Sequence, residues 1–290
     1  MRGINLGRLC AILAAVGFAL PLQAEDDRGW NFAARFSGSS NSSGVVLKAD
    51  PSLDYRFNRY FQTYAGLPVY FVNESSTSTI SSAGFVNGIG NAYVGFRLRV
   101  DNPAVDFASN LVFTAPTGNK DKGFSTGRAT VDWTNSFSRK FSAVTPFGSV
   151  GVANTISDTS FFVRPFSSLG LVGHFEGGAT VSLSRFVDLG GSAYGVRASG
   201  QQKIFSKVLK HQATSTPGSS NSSGQGKGKN RVFETSPETV GPAEIANDHG
   251  FSSWIGINPR SNVDFQIGYS RSATYELDTL FFGVGFRFGK

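Results

Sequence analysis

Apolar and polar residues alternate along most of this chain. Over 45–57 one face carries Val45, Leu47, Ala49, Pro51, Leu53, Tyr55 and Phe57, and the other carries Val46, Lys48, Asp50, Ser52, Asp54 and Arg56. A period of two is the signature of a β-strand with two unlike faces. The pattern recurs. Ala92, Val94, Phe96, Leu98 and Val100 oppose Tyr93, Gly95, Arg97 and Arg99; Val263, Phe265, Ile267 and Tyr269 oppose Asp264, Gln266, Gly268 and Ser270. The longest run places Leu169, Leu171, Phe175, Ala179, Val181 and Leu183 against Val172, His174, Glu176, Thr180 and Ser182. Ala129, Val131 and Trp133 oppose Arg128, Thr130 and Asp132, and Leu280, Phe282, Val284, Phe286 and Phe288 close the series.

Twelve such segments are predicted, near 30–37, 45–57, 61–72, 91–100, 105–115, 125–137, 142–153, 163–184, 187–199, 250–258, 262–271 and 278–288. Most reach the length of about 9–11 residues with which a tilted strand crosses a bilayer. Lipid offers no hydrogen bonds, so strands span it only as a closed sheet. The connections are sorted as well. After the even-numbered strands they are short, as at 58–60, 101–104, 138–141, 185–186 and 259–261. After the odd-numbered ones they are mostly long and polar, as at 73–90, 116–124 and 200–249. Short turns on one side and long loops on the other are the outer-membrane pattern. The fold expected is therefore an all-β, transmembrane antiparallel β-barrel of about twelve strands.

Composition fits this picture. Of 290 residues only 16% are charged, with 35 Gly and 27 Phe, and the formal net charge is +7. No apolar run is long enough for a spanning helix. Arg2 and Arg8 precede an apolar stretch, Leu9 to Leu22, that ends in Gln23-Ala24. This is the layout of a secretory signal, expected to be cleaved after Ala24. The domain organisation expected is a signal peptide over 1–24 and a single barrel domain over 25–290, with a long extracellular loop near 200–249. The one cysteine, Cys10, falls in the signal, so neither a disulfide nor a cysteine-bound metal is expected in the mature chain. Strand glycines such as Gly95, Gly148, Gly151, Gly190 and Gly285 are read as curvature positions or lumen clearance. Trp30, Tyr55, Phe57, Tyr60, Phe61, Phe137, Phe141 and Trp254 are read as interfacial girdles.

The segment Gln201 to Asp248 breaks the alternation. Its Ser/Gly/Lys-rich part, 215–231, has a linker's composition and is read as a solvated tip. Ile204 to Val208 is read as the top of strand nine.

Catalytic motifs are sparse. His174 and Glu176 share a polar strand face, but no second His or Cys stands at ligand spacing. Outer-membrane lipases place a nucleophilic Ser two residues after a His, and here that position is Glu176. The Gly-rich run 84–90 leads into Asn91, not into the Lys-Ser/Thr of a phosphate-binding loop. The reading is of a protein that is not an enzyme and uses no metal or cofactor.

Three stretches resemble a family of outer-membrane barrels associated with the meta-pathway of phenol degradation. They are Gly88-Ile89-Gly90-Asn91-Ala92-Tyr93-Val94-Gly95-Phe96-Arg97, Thr114-Ala115-Pro116-Thr117-Gly118 and Thr145-Pro146-Phe147-Gly148-Ser149-Val150-Gly151. That family usually has an acidic residue where this chain has Asn91. The resemblance implies a barrel and an uptake role for small, including aromatic, molecules.

The polar face of such a barrel lines its lumen. Candidate lining residues are Lys48, Asp50, Asp54, Arg56, Arg97, Arg99, Arg128, Asp132, His174 and Glu176, with Asp264 and Arg287 nearby. Most of these charges are expected to pair as struts across the lumen, since unpaired charge in a narrow barrel is costly. Arg97 and Arg99 are the candidate selectivity pair. The function expected is a porin-like outer-membrane channel or transporter, passing small solutes, with aromatic or hydrophobic compounds as one class among them, by passive diffusion through a polar lumen. A closed structural or adhesive barrel, or a hydrolase using His174 and Glu176, is the alternative. The partners expected are membrane lipid, lipopolysaccharide and a small-molecule solute, with no nucleic acid.

Overall fold

In a computed structural model of the protein, residues 28–42, 44–74, 86–119, 124–156, 166–206 and 238–289 are described. The expected signal segment 1–24 and the linker-like stretch 215–231 lie outside these residues.

The strands are β1 (Gly29–Asn41), β2 (Gly44–Arg56), β3 (Phe61–Gly66), β4 (Val69–Glu74), β5 (Val86–Ile89), β6 (Tyr93–Val100), β7 (Asp106–Thr114) and β8 (Thr130–Ser138). They continue with β9 (Val144–Ile156), β10 (Phe166–Ser182), β11 (Val187–Ala198), β12 (Gln202–Ser206), β13 (Glu238–Gly241), β14 (Asp248–Arg260), β15 (Val263–Ser272) and β16 (Leu277–Gly289). Pairing is antiparallel around the ring β1-β2-β3-β6-β7-β8-β9-β10-β11-β14-β15-β16 and back to β1. Those are twelve barrel strands, and β1 closes the circle by pairing with β16 from Asn31↔Gly289 to Ser40↔Leu280.

Two barrel strands are broken. β3 and β4 both pair with β2 but are separated by Leu67-Pro68. β6 pairs with β3 and β5 with β4, with Gly90–Ala92 between them. Proline has no amide to give the ladder, so the strand steps over it. The wall is stitched across the break by Leu67 N–H donating to the Pro51 carbonyl and Gly90 N–H donating to the Pro68 carbonyl.

Both ends of the ring, Gly29 and Gly289, lie at the end with the turns 57–60, 101–105, 139–143, 183–186 and 261–262. The opposite end carries the longer connections 75–85, 115–129, 157–165 and 199–247. The turns 42–43 and 273–276 at that end are short too, so the sorting by length fails at the first and last hairpins.

The alternation sets the two faces. Phe96, Trp133, Val150, Phe175, Ile255, Ile267 and Leu280 are exposed on the convex surface, while Gly151, Ser192, Ser252, Ser270 and Thr279 are buried on the concave one. A surface that exposes this many large apolar side chains is built for lipid. On the convex side Trp30, Tyr55, Phe57, Phe61, Phe96 and Phe113 form an unbroken chain of ring contacts that starts at the short-turn end and climbs along β6 and β7. Trp30, Tyr55, Phe57 and Phe61 in this chain of rings are residues of the expected girdle. Trp254 is a correction to it. This residue is on the concave face, 8% exposed, with its indole over Gly190 and its ring centroid 6.2 Å from that of Phe147.

The long loop also departs from expectation. Ile204 is not a continuation of strand nine. The chain turns at Ser199–Gln201, and β12 then pairs with the upper part of β10 and with β13. Two features permit this. Gly170 adopts φ +152°, and the pairing of β10 with β9 shifts register between Leu169 and Val172. Gln202 fills the space beside Gly170, fully buried, and its Nε2 donates to the Leu171 and Ser199 carbonyls at 3.3 and 3.0 Å. Beyond β13 a 3-10 turn, Ala243–Ala246, packs Ala246 against Val172 and Val196 inside the mouth, with Tyr194, Ala198 and Tyr275 around them.

Candidate functional site: the concave face of the barrel

Strand alternation puts Lys48, Asp50, Asp54 and Arg56 on one face of β2, Arg97 and Arg99 on one face of β6, and His174 and Glu176 on one face of β10. Asp132 occupies the matching face of β8. Contacts between strands that are not neighbours mark this face as the concave one, since curvature brings only inward side chains together. His174 Nε2 lies 3.3 Å from Asp132 Oδ1 across β9. Tyr64 on β3 donates to Asn110 on β7 at 2.8 Å, across β6. Tyr93 on β6 donates to Asp50 on β2 at 2.9 Å, across β3.

Arg128 does not belong to this set. The sixth barrel strand begins at Thr130, and Arg128 is exposed in the loop before it, where the Thr126 hydroxyl accepts from its amide at 3.4 Å and donates to its carbonyl at 3.2 Å. The Ser/Thr/Gly-rich run 125–127 favours local side-chain bonds over ladder pairing, which delays the strand.

The expected pairing of charges occurs, but along the wall. Lys48 Nζ lies 2.9 Å from Asp50 two residues on, and Arg99 lies 2.9 Å from Asp101, also two residues on. Asp264 takes Arg287 at 2.6 Å and Arg35 at 3.9 Å from the two strands beyond it. None of these ion pairs spans the lumen. Arg97 is held differently, with its guanidinium over the Tyr64 ring at 5.3 Å from the centroid. Arg97 and Arg99 therefore do not act as a matched pair. Arg99 is tied to an aspartate at the exposed rim, whereas Arg97 stands inside over a ring.

His174 bonds with Asp132, which also accepts from the Thr134 hydroxyl at 2.7 Å. The imidazole covers Gly151 on the neighbouring strand, where a Cβ would collide with it. This is the wiring of a wall residue. Among the described residues no group of three or more His, Cys, Asp or Glu is placed to hold a metal ion.

The alternation of residues does not mark one part of the concave face. Phe147 on β9 lies over Gly178, Trp254 on β14 over Gly190, Tyr194 over Gly250 and Phe281 over Gly268. Each ring takes the place that a side chain on the next strand would need. Phe147 and Trp254 meet across β10 and β11. In a ring of twelve strands the midpoint opposite that contact falls between β2 and β3, which carry Asp54, Arg56, Gln62 and Tyr64. The lumen thus has an aromatic wall facing a charged and hydrogen-bonding one. Each ring belongs to a polar-face position, and its cross-strand partner is a glycine that only the register reveals.

No protein-family model matches the chain, and no curated protein matches it. Solved structures do. An outer membrane channel from Pseudomonas putida F1 superposes with a TM-score of 0.55 at 10% identity, covering 92% of this chain and 100% of that one. The fold is that of an outer-membrane β-barrel. The NanC porin gives a TM-score of 0.49 at 7% identity over 89% of this chain and 100% of its own. A mutant of the TodX monoaromatic hydrocarbon channel gives 0.42 at 8% identity over 92% and 91%.

Proposed function

We propose that the protein is a passive channel of the outer membrane for small solutes, exported by a signal peptide cleaved after Ala24. The observation that carries this reading is the division of its closed wall into two faces. The convex face exposes large apolar side chains and an aromatic band. The concave face carries Lys48, Asp50, Asp54, Arg56, Arg97, Asp132, His174 and Glu176, which give water and polar solutes a path that lipid-facing residues do not. The same fold in a bacterial outer membrane channel supports it.

The solute class follows from the two walls and from the resemblance to barrels of aromatic degradation. A small molecule with an aromatic ring and a polar group meets Phe147 and Trp254 on one side, and Arg97, Tyr64 and Arg56 on the other. Ring-to-ring contacts are modest in energy, about 0.5–1.5 kcal/mol, which suits a path that must also release its cargo.

Single-channel recording of the refolded protein in a planar bilayer tests the reading. Discrete conductance steps, reduced by millimolar aromatic solutes, are expected. A barrel that shows heat-modifiable gel migration, inserts, and stays electrically silent would overturn it.

A further inference from the structure

Three of the short turns share one construction. In each, a polar residue is followed by arginine and then by an exposed aromatic: Asn58-Arg59-Tyr60, Ser138-Arg139-Lys140-Phe141 and Ser184-Arg185-Phe186. The backbone is locked in the same way in two of them. Asn58 Oδ1 accepts from the Tyr60 and Phe61 amides, both at 2.8 Å, and Ser184 Oγ accepts from the Phe186 and Val187 amides at 3.2 and 3.1 Å. The third turn is closed by Phe141 and Val144, whose amides donate to each other's carbonyls. In all three the guanidinium lies over the following ring, 4.5 Å from the Tyr60 centroid, 4.6 Å from Phe141 and 4.3 Å from Phe186.

The turn segments 57–60, 139–143 and 183–186 contain no Asp or Glu. Among the described residues no carboxylate lies within ion-pair distance of Arg59, Arg139 or Arg185. The turns carrying them also sit just beyond the convex aromatic chain that runs through Tyr55, Phe57 and Phe61. An aromatic band marks the level of lipid headgroups.

We propose that these three turns bind the phosphates of anionic phospholipids in the leaflet that meets this end of the barrel. The chemistry is that of a planar fork of N–H donors pre-set by its stack on a ring and offered to a phosphate. Ring stacking uses one face of the guanidinium and leaves its N–H edge free. Tyr60, Phe141 and Phe186 keep the same turns at the headgroup level. The three turns, after β2, β8 and β10, span half of the ring and offer three such contacts to one leaflet. The short-turn end of an outer-membrane barrel faces the periplasm, so the occupant is phospholipid and not lipopolysaccharide. This binding is independent of transport, and a silent barrel would show it equally.

The test uses the full chain refolded into phosphatidylcholine vesicles containing a minor fraction of spin-labelled phosphatidylglycerol. Electron spin resonance reads the lipid held at the protein surface. The wild-type protein is expected to hold phosphatidylglycerol in preference to labelled phosphatidylcholine, by about 5-fold at each engaged turn, the attraction of one arginine near an anionic surface. Replacing Arg59→Ser, Arg139→Ser and Arg185→Ser together should remove the preference while heat-modifiable migration confirms a folded barrel. The three Arg→Lys replacements keep the charge and lose the fork, and should retain only part of it. Equal retention of both lipids by the wild-type protein, or undiminished preference in the serine variant, would overturn the proposal. So would a preference for lipopolysaccharide that disappears in the same serine variant, because it would put these turns in the other leaflet.

Discussion

Replacing Trp254 by alanine tests the inward aromatic wall most directly. The indole is 8% exposed, covers Gly190 and meets Phe147. Burial of a Trp side chain removes about 150–250 Å² from water. At about 25 cal/mol per Å² that area corresponds to ~4–6 kcal/mol, an upper bound for its loss. The space left would open onto the lumen and fill with water, and the strand beneath, at Gly190, would be wetted. The expected destabilisation is therefore about 3 kcal/mol, the low end for a large ring removed from a core. Urea unfolding in detergent micelles measures it, because Trp30 and Trp133 remain as fluorescent reporters on the convex face. The same variant should conduct more, since the wall has been hollowed on one side, and Trp254→Phe should stay close to wild type in both assays. A stability loss below about 0.5 kcal/mol, the ordinary range of surface changes, together with unchanged conductance would refute the placement of the indole.

Three other substitutions separate the contributions of single groups. Gly190→Ala puts a Cβ into the Trp254 ring and should cost about 1–3 kcal/mol by overpacking, read by the same unfolding curve. Arg97→Glu should shift ion selectivity, read as reversal potential in a salt gradient. An ion passing at 6 Å in water feels about 0.7 kcal/mol from one charge, so reversal changes its preference by roughly tenfold, and no shift would exclude Arg97 from the path. Arg99→Glu should do less, since that side chain is exposed at the rim and already neighbours Asp101. Tyr93→Phe removes the hydroxyl that donates to Asp50 and should cost about 1 kcal/mol in the unfolding assay, leaving the Lys48–Asp50 pair in place.

The barrel itself was legible because lipid and water impose opposite demands on alternate residues. The two faces of β2, β6, β10 and β15 follow directly from their sequences. What was not legible depends on neighbours far away in the chain. Trp254 sits at a strand position like any other, and only its pairing with Gly190 on the neighbouring β11 leaves room for the ring inside. Arg128 follows a Ser-Thr-Gly run whose local hydrogen bonds hold off the strand, a competition that alternation alone cannot weigh. The β12–β13 hairpin rests on β10 because β10 outreaches β11, and that is a fact of register. Arg97 and Arg99 look equivalent by spacing. They differ because Tyr64 lies under one and Asp101 follows the other.

Closure of the ring by β1 and β16 has a kinetic consequence. Asn31 must find Gly289, so the contact that removes the last open edge joins residues from opposite ends of the sequence. Until then β1 and β15 or β16 each offer a row of unsatisfied amides and carbonyls to any other chain. Local hairpins such as β14–β15 can form early, but the seam cannot, because loop closure over such a distance is entropically slow. A chain halted before β16 would therefore not be a slightly weakened barrel. It would be an open sheet with two sticky margins, and its fate would be set by how quickly something else caps them.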